Sequence, residues 1–310
     1  MEYNVENLFD FYHDSLKSDQ DFLPESLRKW NKNRFWKKLI NISRVITSVS
    51  EDQLPDLVML CEVENDSTLI YLTKRSPLRV AGYEYIMTHS DDERGIDIAL
   101  LYQKATFKLI NFEEIRIDKS KVGMKPTRDI FHITGFTQTK DTLDLFLCHM
   151  PSRSRGKSIT DAYRKHTATI LKQHVDCVMS LRESPRIIIT GDFNDYPDDA
   201  ALSQILHAEE VREELKPLNL YNLVIGKKPG TYKYNGEWNI LDQFIVSGTL
   251  LEKTHGHLHT SSDWVRIHQP AFILQEDEKY GGVKPFRTYN GVKYQGGYSD
   301  HLPVVAEFRW

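Results

Sequence analysis

Polar side chains suited to phosphate chemistry occur where apolar, strand-like segments of the sequence begin or end. Glu62 follows the run DLVMLC, His149 follows LDLFLC, and Asp192 follows RIIIT after one glycine. Asp242 stands just before QFIVS. Loops project from a rigid scaffold at strand ends, so functional residues collect there. The full set comprises Asn4, which follows the first strand, and Glu62, His149, Asp192, Asn194, Asp242, Asp300 and His301.

Carboxylates, amides and imidazoles in this arrangement predict metal-assisted phosphoryl chemistry, which needs positioning and charge neutralisation more than a nucleophilic side chain. Mg²⁺ takes oxygen ligands, usually one or two carboxylates with water and substrate phosphate, and Glu62 is the expected carboxylate. Asp192 and Asn194 are two apart, so both side chains leave an extended backbone on one side. One can bind metal or activate water while the other holds a phosphate oxygen. His301 can carry charge or act as acid or base, with Asp242 orienting its ring.

Several of these residues also have simpler structural explanations. Gly-Asp and Asn-Asp pairs are common in turns, so Asp192 and Asn194 could close a turn. His149 could be a hydrogen-bonded core histidine, and Asn4 could be a cap or turn residue. Because such residues occur at six strand ends of one chain, we favour a common site over separate structural roles.

Strand-like and helix-like segments alternate along the chain and would position these residues. Helical spacing of apolar residues predicts a helix over Arg34 to Val49, and a Ser158-x-x-Asp161 capping-box pattern predicts the start of another that ends at Leu181. Strands are predicted at Asp56–Cys61, Ile96–Tyr102, Ile130–Phe136, Leu143–Cys148, Arg186–Thr190, Ile240–Val246 and Val304–Phe308. The pattern by itself indicates an α/β or α+β layered enzyme. The polar loops Lys227–Trp238 and Gln275–Tyr298 exceed simple connectors and are expected to be functional.

Composition narrows the class of protein only modestly. The 310 residues carry a net charge of −4, which argues against a protein that coats DNA but not against an enzyme with a local basic groove. The three cysteines lack CxxC spacing, so neither a disulfide framework nor a zinc site is expected. No membrane span and no signal peptide are expected. Since Tyr3 to Asn7 resembles the end of a strand whose beginning is absent, the compartment stays open: cytoplasmic, or exported after loss of a leader.

The segment from Pro151 to His166 is basic and follows His149 directly. It contains Arg153, Arg155, Lys157, Arg164 and Lys165 against the single acid Asp161. Such a run can be a solvated face or a phosphate clamp, for which bidentate arginine is well suited. Arg153, Arg164 and, in the motif PTRDI, Arg128 are therefore the candidate ligands of the substrate phosphate.

The motifs resemble those of the endonuclease/exonuclease/phosphatase superfamily, which includes deoxyribonuclease I, and in particular a bacterial subgroup of it. The matching stretches, in family order along the whole chain, are YNVENL, MLCEVEN, ERGIDIALLY, LFLCHMPSR, ITGDFND, NILDQFIVS and GYSDHLPV. The resemblance implies one domain over residues 1–310. It also implies an α+β, deoxyribonuclease I-like fold: a four-layer αββα sandwich of two mixed, mainly antiparallel sheets flanked by helices, with the site at one edge of the sheets.

The resemblance also implies roles for individual residues. Glu62 is the expected metal ligand, with Asn4 and Asp300 nearby. Asp192 and Asn194 are expected to handle the attacking water and the phosphate, and His301 with Asp242 to form the family's His-Asp pair. His149 matches deoxyribonuclease-like members and phosphatases. AP endonucleases usually have tyrosine there, so a role in AP-site repair is not favoured. A carboxylate partner of His149 is expected at Asp97 or Glu93.

The leading hypothesis is a phosphodiesterase or nuclease that uses Mg²⁺ or Mn²⁺ and in-line attack of a metal-assisted water. The alternative is a phosphomonoesterase, or a hydrolase of inositol, sugar or lipid phosphates, because the superfamily contains all of these and fold alone does not settle function. A non-catalytic binding module on the same fold is a remote third possibility. The expected partner is a phosphoester substrate, with nucleic acid as one candidate, and no stable protein partner is implied.

Overall fold

The computed structural model describes residues 1–118, 120, 122–153 and 156–310, without the side chain of Lys157. Three α-helices lie in this part of the chain: Lys32–Thr47 (α1), Asp66–Ile70 (α2) and Lys157–Leu181 (α3). The strands are Glu2–Leu8 (β1), Leu57–Val63 (β2), Glu84–Met87 (β3), Asp97–Tyr102 (β4), Phe107–Ile115 (β5), Ile130–Thr137 (β6), Thr142–His149 (β7), Arg186–Asp192 (β8), Ala208–Glu209 (β9), Leu220–Asn222 (β10), Tyr232–Tyr234 (β11), Glu237–Asn239 (β12), Asp242–Ser247 (β13), Val265–Ile267 (β14), Leu274–Glu276 (β15), Val283–Pro285 (β16), Tyr289–Asn290 (β17), Lys293–Tyr294 (β18) and Val304–Ala306 (β19).

Two mixed, mainly antiparallel sheets form the centre of the molecule. The first has the strand order β14-β19-β1-β2-β4-β3, and the second has the order β5-β6-β7-β8-β13-β10-β9. Strands β1 and β2 are parallel in the first sheet, and β7 and β8 are parallel in the second. The β7 to β8 connection contains the 25-residue helix α3, as a parallel pair requires a crossover.

Alternating side chains on the strands create three apolar layers. Val58 and Leu60 of β2 pack against α1, while Met59 between them faces the second sheet. Likewise Ile187 and Ile189 of β8 pack against α3. Because both faces of the central strands are covered, β2, β4, β7 and β8 are apolar along most of their length. The molecule is therefore the four-layer αββα sandwich that the sequence resemblance implied.

The elements largely follow the predicted ones, with informative differences at two places. Helix α3 begins at Lys157, and its N-cap residue is Gly156, which has no side chain to form a cap. Ser158 lies inside the helix, so the predicted capping box does not form. Asn4 lies within β1 and does not follow it. Arg155 of the basic segment lies outside the described residues.

The late polar segments are not simple loops. They contain the short hairpins β11–β12, β15–β16 and β17–β18. Lys233 of the first hairpin is bonded to Asp277 at 2.9 Å and donates to the carbonyl oxygen of Gly281. The late segments therefore support one another along the side of the sandwich.

The predicted absence of a disulfide pattern agrees with the cysteines, since Cys61 and Cys148 are free and buried in the core. Among the described residues, no helix combines the length and the apolar character needed to cross a bilayer.

Candidate active site

Three neighbouring strands of the second sheet deliver three polar side chains side by side. In the parallel pair β7–β8, His149 is the register partner of Asp192. In the antiparallel pair β8–β13, Asp242 is the partner of the same Asp192. Partners in register lie on the same face of a sheet, and this face points toward the first sheet. The three residues are buried. The order of the strands therefore brings together residues that are up to 93 positions apart.

Glycine at position 191 allows this arrangement. Gly191 has a φ of 140°, and a Cβ atom there would lie 1.9 Å from the carbonyl oxygen of Cys148 and 2.7 Å from Cε of Met59. A side chain would collide both with the neighbouring strand and with the facing sheet. The glycine of ITGDFND is therefore required mainly by the close approach of β7 to β8 beside the site.

Bulges in the first sheet direct the carboxylate of Glu62 toward the residues on β7 and β8. Glu62 has a φ of 69°, where the β2–β4 register shifts between Cys61 and Val63. Glu6 and Asn7 have φ values of 52° and 57°, within the irregularity between β1 and β2. Non-glycine residues rarely adopt this conformation, and bulges beside active sites commonly re-aim side chains. The backbone N–H of Asn7 donates to Glu62 at 2.8 Å and fixes its carboxylate.

Asp192 is at the centre of the cluster. Its Oδ2 accepts a hydrogen bond from the Asn4 amide at 3.0 Å, and its Oδ1 accepts one from the backbone N–H of Asn194 at 2.8 Å. The Nε2 atoms of His149 and His301 lie 3.7 Å and 3.9 Å from Oδ2. Burial raises the pKa of Asp192 to about 7; Asp242 and Glu62 raise it as well, while His301 and the Asn194 N–H lower it.

The two histidines have opposite electrostatic surroundings. His301 Nδ1 is 2.8 Å from Asp242 Oδ2. Burial opposes the charge of this ring, but Asp242 and Asp192 outweigh it and hold its pKa well above the usual value. Burial lowers the pKa of His149 well below its usual value, and the charges of Arg128 and Arg94 add to that effect. At neutral pH His301 is therefore protonated and His149 neutral.

The predicted carboxylate partners of His149 are engaged elsewhere. Asp97 accepts hydrogen bonds from Thr88 and Ser90, because its strand position faces that turn. Glu93 is paired with Lys125. Among the described residues, Nδ1 of His149 is buried without a hydrogen-bond partner. Its Nε2 lies 4.0 Å from Glu62.

A second acidic group adjoins Glu62 and His301. Asp300 accepts from Arg287 at 2.9 Å, and the same guanidinium donates to Glu6 at 3.0 Å. Burial raises the pKa of Glu6, and Asp300 raises it further. Burial lowers the pKa of Lys38 to about 8, against the raising effect of Glu6, Asp300 and Glu62. Carboxylates from three segments thus share one region.

Two groups of side chains near the site carry ligand types suited to a hard divalent cation. The oxygens of Glu62, Glu6 and Asp300 are ligand types that Mg²⁺ or Mn²⁺ prefers, and Arg287 supplies compensating positive charge between two of them. A further group of possible ligands is Asp192, Asp242 and His301, whose ligating atoms lie within 4.8 Å of one another. In that group, however, Nδ1 of His301 is already hydrogen-bonded to Asp242.

The three predicted phosphate-binding arginines lie inside ion pairs. Arg164 is fully buried and its Nε donates to Asp195 at 2.6 Å. Arg153 pairs with the same Asp195 at 3.0 Å and also with Asp199. These two arginines therefore support the loop that follows Asp192.

Arg128 is also buried. It pairs with Asp92 at 3.1 Å and donates to the carbonyl oxygen of Met150 at 2.7 Å. These three arginines thus serve internal pairing, because buried acids require partners.

Sequence reasoning missed several residues at the site. Glu6 lies two positions after Asn4, a spacing that in an extended strand puts two side chains on one side, and this is a signal that could have identified it. The ring of Tyr232 lies 5.0 Å from that of His301. Arg94 lies in the motif ERGIDIALLY. Neither Arg94 nor Arg287 follows a periodic pattern, so only the folded chain shows that both reach the site.

A cavity of about 500 Å³ lies between the sheets at the opposite end of the sandwich. Met1, Leu57 and Phe308 contribute to its lining, and none of the predicted site residues does. Cavity size therefore does not locate the chemistry in this molecule; the clustered acids and imidazoles do.

Comparisons with known proteins agree with this architecture. The chain matches a family model described as endonuclease/exonuclease/phosphatase family over residues 1–309. No curated protein sequence matches it. Among solved structures, an endonuclease/exonuclease/phosphatase family protein from Bacteroides thetaiotaomicron aligns with a TM-score of 0.60 at 15% identity, covering 98% of this chain and 94% of that one.

Two further solved structures have named activities or ligands. A mannosyl-6-phosphatase from Bacteroides thetaiotaomicron aligns with a TM-score of 0.58 at 15% identity, covering 100% of this chain and 98% of that one. TDP2 from D. rerio, complexed with a single-strand DNA product, aligns with a TM-score of 0.55 at 16% identity, covering 88% and 93%. At these identities the likeness establishes a shared fold.

Proposed function

Because the chain belongs to the endonuclease/exonuclease/phosphatase family, we propose that it hydrolyses phosphoester bonds, with phosphodiesters as the leading substrate class. The observation that carries the proposal is the position of Asp192. It is a buried carboxylate with a pKa raised to about 7, held by two donors and flanked by two imidazoles. A general base works best when its pKa lies near the working pH.

Asp192 is proposed to accept a proton from the attacking water. The Asn4 amide and the Asn194 N–H hold its oxygens in place, so the base need not reorganise during the reaction. The water oxygen bonds to phosphorus, the bond from phosphorus to the leaving oxygen breaks, and the proton of the water passes to Asp192.

The histidines are proposed to act on the phosphoryl and leaving oxygens. Protonated His301, held by Asp242, can stabilise negative charge or give its proton to the leaving oxygen. Neutral His149 can donate a hydrogen bond from Nε2, the atom nearest to Asp192 and Glu62. Asn194 is proposed to orient the phosphate from the loop after β8.

Proteins of this family generally depend on a divalent metal, and Mg²⁺ or Mn²⁺ is proposed here. Glu62, Glu6 and Asp300 are the proposed ligands, because this choice leaves the bond between His301 and Asp242 intact, and Asn4 is close by. A cation held there would neutralise charge on the phosphoryl oxygens.

The test is turnover of bis-(p-nitrophenyl) phosphate with Mg²⁺ or Mn²⁺. Asp192→Asn should lower turnover by about 100-fold to 10,000-fold, the usual contribution of general acid-base catalysis. The matched control is Asp176→Asn, which removes the same charge from an exposed helical pair with Lys172, and such pairs contribute little stability. Normal turnover in a folded Asp192→Asn protein would exclude Asp192 from the mechanism.

The substrate class needs parallel assays. Phosphomonoesters and the phosphates of inositol, sugars and lipids are the alternative, and a net charge of −4 makes long duplex DNA the less favoured nucleic acid. Plasmid DNA, RNA, dinucleotides, inositol phosphates and phospholipid should be compared at equal concentration. The phosphodiester proposal requires a higher kcat/KM on diesters than on monoesters.

A further inference from the structure

Most arginines near the candidate site are already bonded to acids. Their closest carboxylate contacts are 3.1 Å or shorter, which leaves these guanidinium groups committed within the protein. The arginines and their partners are Arg128 with Asp92, Arg153 with Asp195 and Asp199, Arg164 with Asp195, and Arg287 with Glu6 and Asp300. A phosphate bound at the site therefore needs a different arginine.

Arg94 differs from these residues in both contacts and exposure. Its side chain is 47% exposed, and its closest acidic contact is Glu62, with 3.9 Å between Nη2 and Oε1. That separation is too long for a hydrogen bond. Among the described residues, the Arg94 guanidinium donates no hydrogen bond. Its positive charge nevertheless acts on buried His149, so it lies within electrostatic range of the reacting groups.

The backbone that carries Arg94 is held firmly. The N–H of Arg94 donates to the Asp92 side chain at 3.0 Å, and the N–H of Gly95 donates to the Asp92 carbonyl oxygen at 3.1 Å. Lys17 donates to the carbonyl oxygens of Ser90 and Asp92 at 2.8 Å and 3.1 Å. Because the loop backbone is already ordered, binding a ligand there would require ordering of the arginine side chain alone.

We propose that Arg94 is the substrate-binding arginine of this site and that its guanidinium binds oxygens of the phosphoryl group beside Glu62. This assignment rests on the proposed function for the identity of the group that is bound. Arginine presents two parallel N–H donors that match two phosphate oxygens. The guanidinium of Arg94 is about half exposed and makes no hydrogen bond to any residue that the structure describes, on the side of the cluster where Glu62 meets His149.

A simpler role for Arg94 would be to neutralise Glu62. The two roles predict different results when the arginine is replaced. Loss of a phosphate ligand weakens anion binding, whereas loss of a positive neighbour of Glu62 strengthens cation binding there and leaves anion binding unchanged.

The experiment is calorimetric titration of inorganic phosphate into the Mn²⁺-loaded protein, with Mn²⁺ titrated separately. Arg94→Gln should weaken phosphate binding at least about 10-fold, as expected for loss of charged hydrogen bonds, and Arg94→Lys should retain part of it. Arg212→Gln is the matched control, since this exposed arginine follows β9 away from the site. It should bind phosphate like the wild type.

Equal phosphate affinity in Arg94→Gln and wild type would overturn the assignment, as would a wild-type protein that binds no phosphate. So would tighter Mn²⁺ binding as the sole effect. Hydrolysis of bis-(p-nitrophenyl) phosphate separates this outcome from failure of the proposed function. Normal hydrolysis with unchanged phosphate binding rejects only Arg94, while Arg94-dependent phosphate binding without any hydrolysis rejects only the catalytic proposal.

Discussion

The charge states of the two histidines at the site depend more on their surroundings than on the residue type. His149 and His301 are both buried and both lie within 4 Å of Asp192, yet their pKa values shift in opposite directions. The difference comes from Asp242, which bonds to His301, and from the arginines near His149. Two histidines with opposite charge states can divide acid and hydrogen-bonding duties at one pH.

Asp242→Asn should move the alkaline limb of the activity profile to lower pH. His301 has a folded-state pKa above its unfolded value, so its protonated form stabilises the fold below the unfolded pKa, and that contribution is lost as pH rises through the folded pKa. Removing the Asp242 charge lowers the folded pKa, because Asp242 is the leading cause that raises it. The measurement is kcat/KM against pH, with exposed Asp263→Asn as control. An unchanged alkaline limb in Asp242→Asn would contradict the assignment.

At the scale of strands, register and close approach decide where the acids lie. Strand β8 lies between β7 and β13. His149 of β7 and Asp242 of β13 are both in register with Asp192 of β8. The bulge at Glu62 interrupts the regular alternation of side chains along β2 and so changes the direction of the Glu62 side chain. Sequence motifs identify these residues one at a time, whereas the pairing of the strands places them next to one another.

Gly191→Ala should destabilise the protein by more than about 3 kcal/mol, a cost reserved for clashes and strain at special backbone positions. Its Cβ would lie 1.9 Å from a main-chain oxygen of β7. Gly226→Ala is the control, because Gly226 has a φ of 76° but no atom within 4 Å of the added Cβ. That variant should lose about 1 to 2 kcal/mol.

The measurement for this pair is the free energy of unfolding from urea denaturation. Equal losses in the two variants would show that backbone conformation alone, and not the approach of β7 to β8, explains the glycine at position 191.

At the scale of the whole molecule, the sandwich concentrates negative charge at one end. Glu6, Glu62, Asp192, Asp242 and Asp300 come from both sheets and meet there, compensated in part by Arg287 and Lys38. Mutual repulsion among these acids opposes folding, and a bound cation would relieve it. Binding to the folded state alone stabilises a protein in proportion to the logarithm of ligand concentration.

Mn²⁺ at about 100 times its dissociation constant should raise the melting temperature by about 4 °C for a chain of this length. Glu62→Gln should lose most of this rise, since it removes a proposed ligand. Exposed Glu183→Gln is the control and should keep the full rise. Differential scanning calorimetry with and without EDTA measures the effect. A melting temperature that does not respond to Mn²⁺ would contradict the cation site.

The sequence alone was sufficient for the layered fold and for most of the acids and histidines. Apolar patterns located α1, α3 and the buried strands β2, β4, β6, β7, β8 and β13 to within a few residues, because strands buried on both faces read as continuous apolar runs. Strand β5 was not predicted, because most of its residues are exposed or only partly buried. The motifs around Glu62, Asp192 and His301 pointed to the site for the same reason: polar residues at the ends of apolar runs are visible without coordinates.

Only the tertiary structure decided which charges are available to a substrate. The basic segment suggested Arg153 and Arg164 as phosphate ligands, but both side chains form ion pairs with Asp195 inside the protein. Arg94 and Arg287 reach the site from loops that carry no periodic signal. The sequence gives the sign of each charge, whereas the exposure and the ion pairing of a charged side chain depend on neighbours from distant segments. Burial makes unpaired charges costly, so the fold pairs most arginines near the site with acids and leaves Arg94 facing outward.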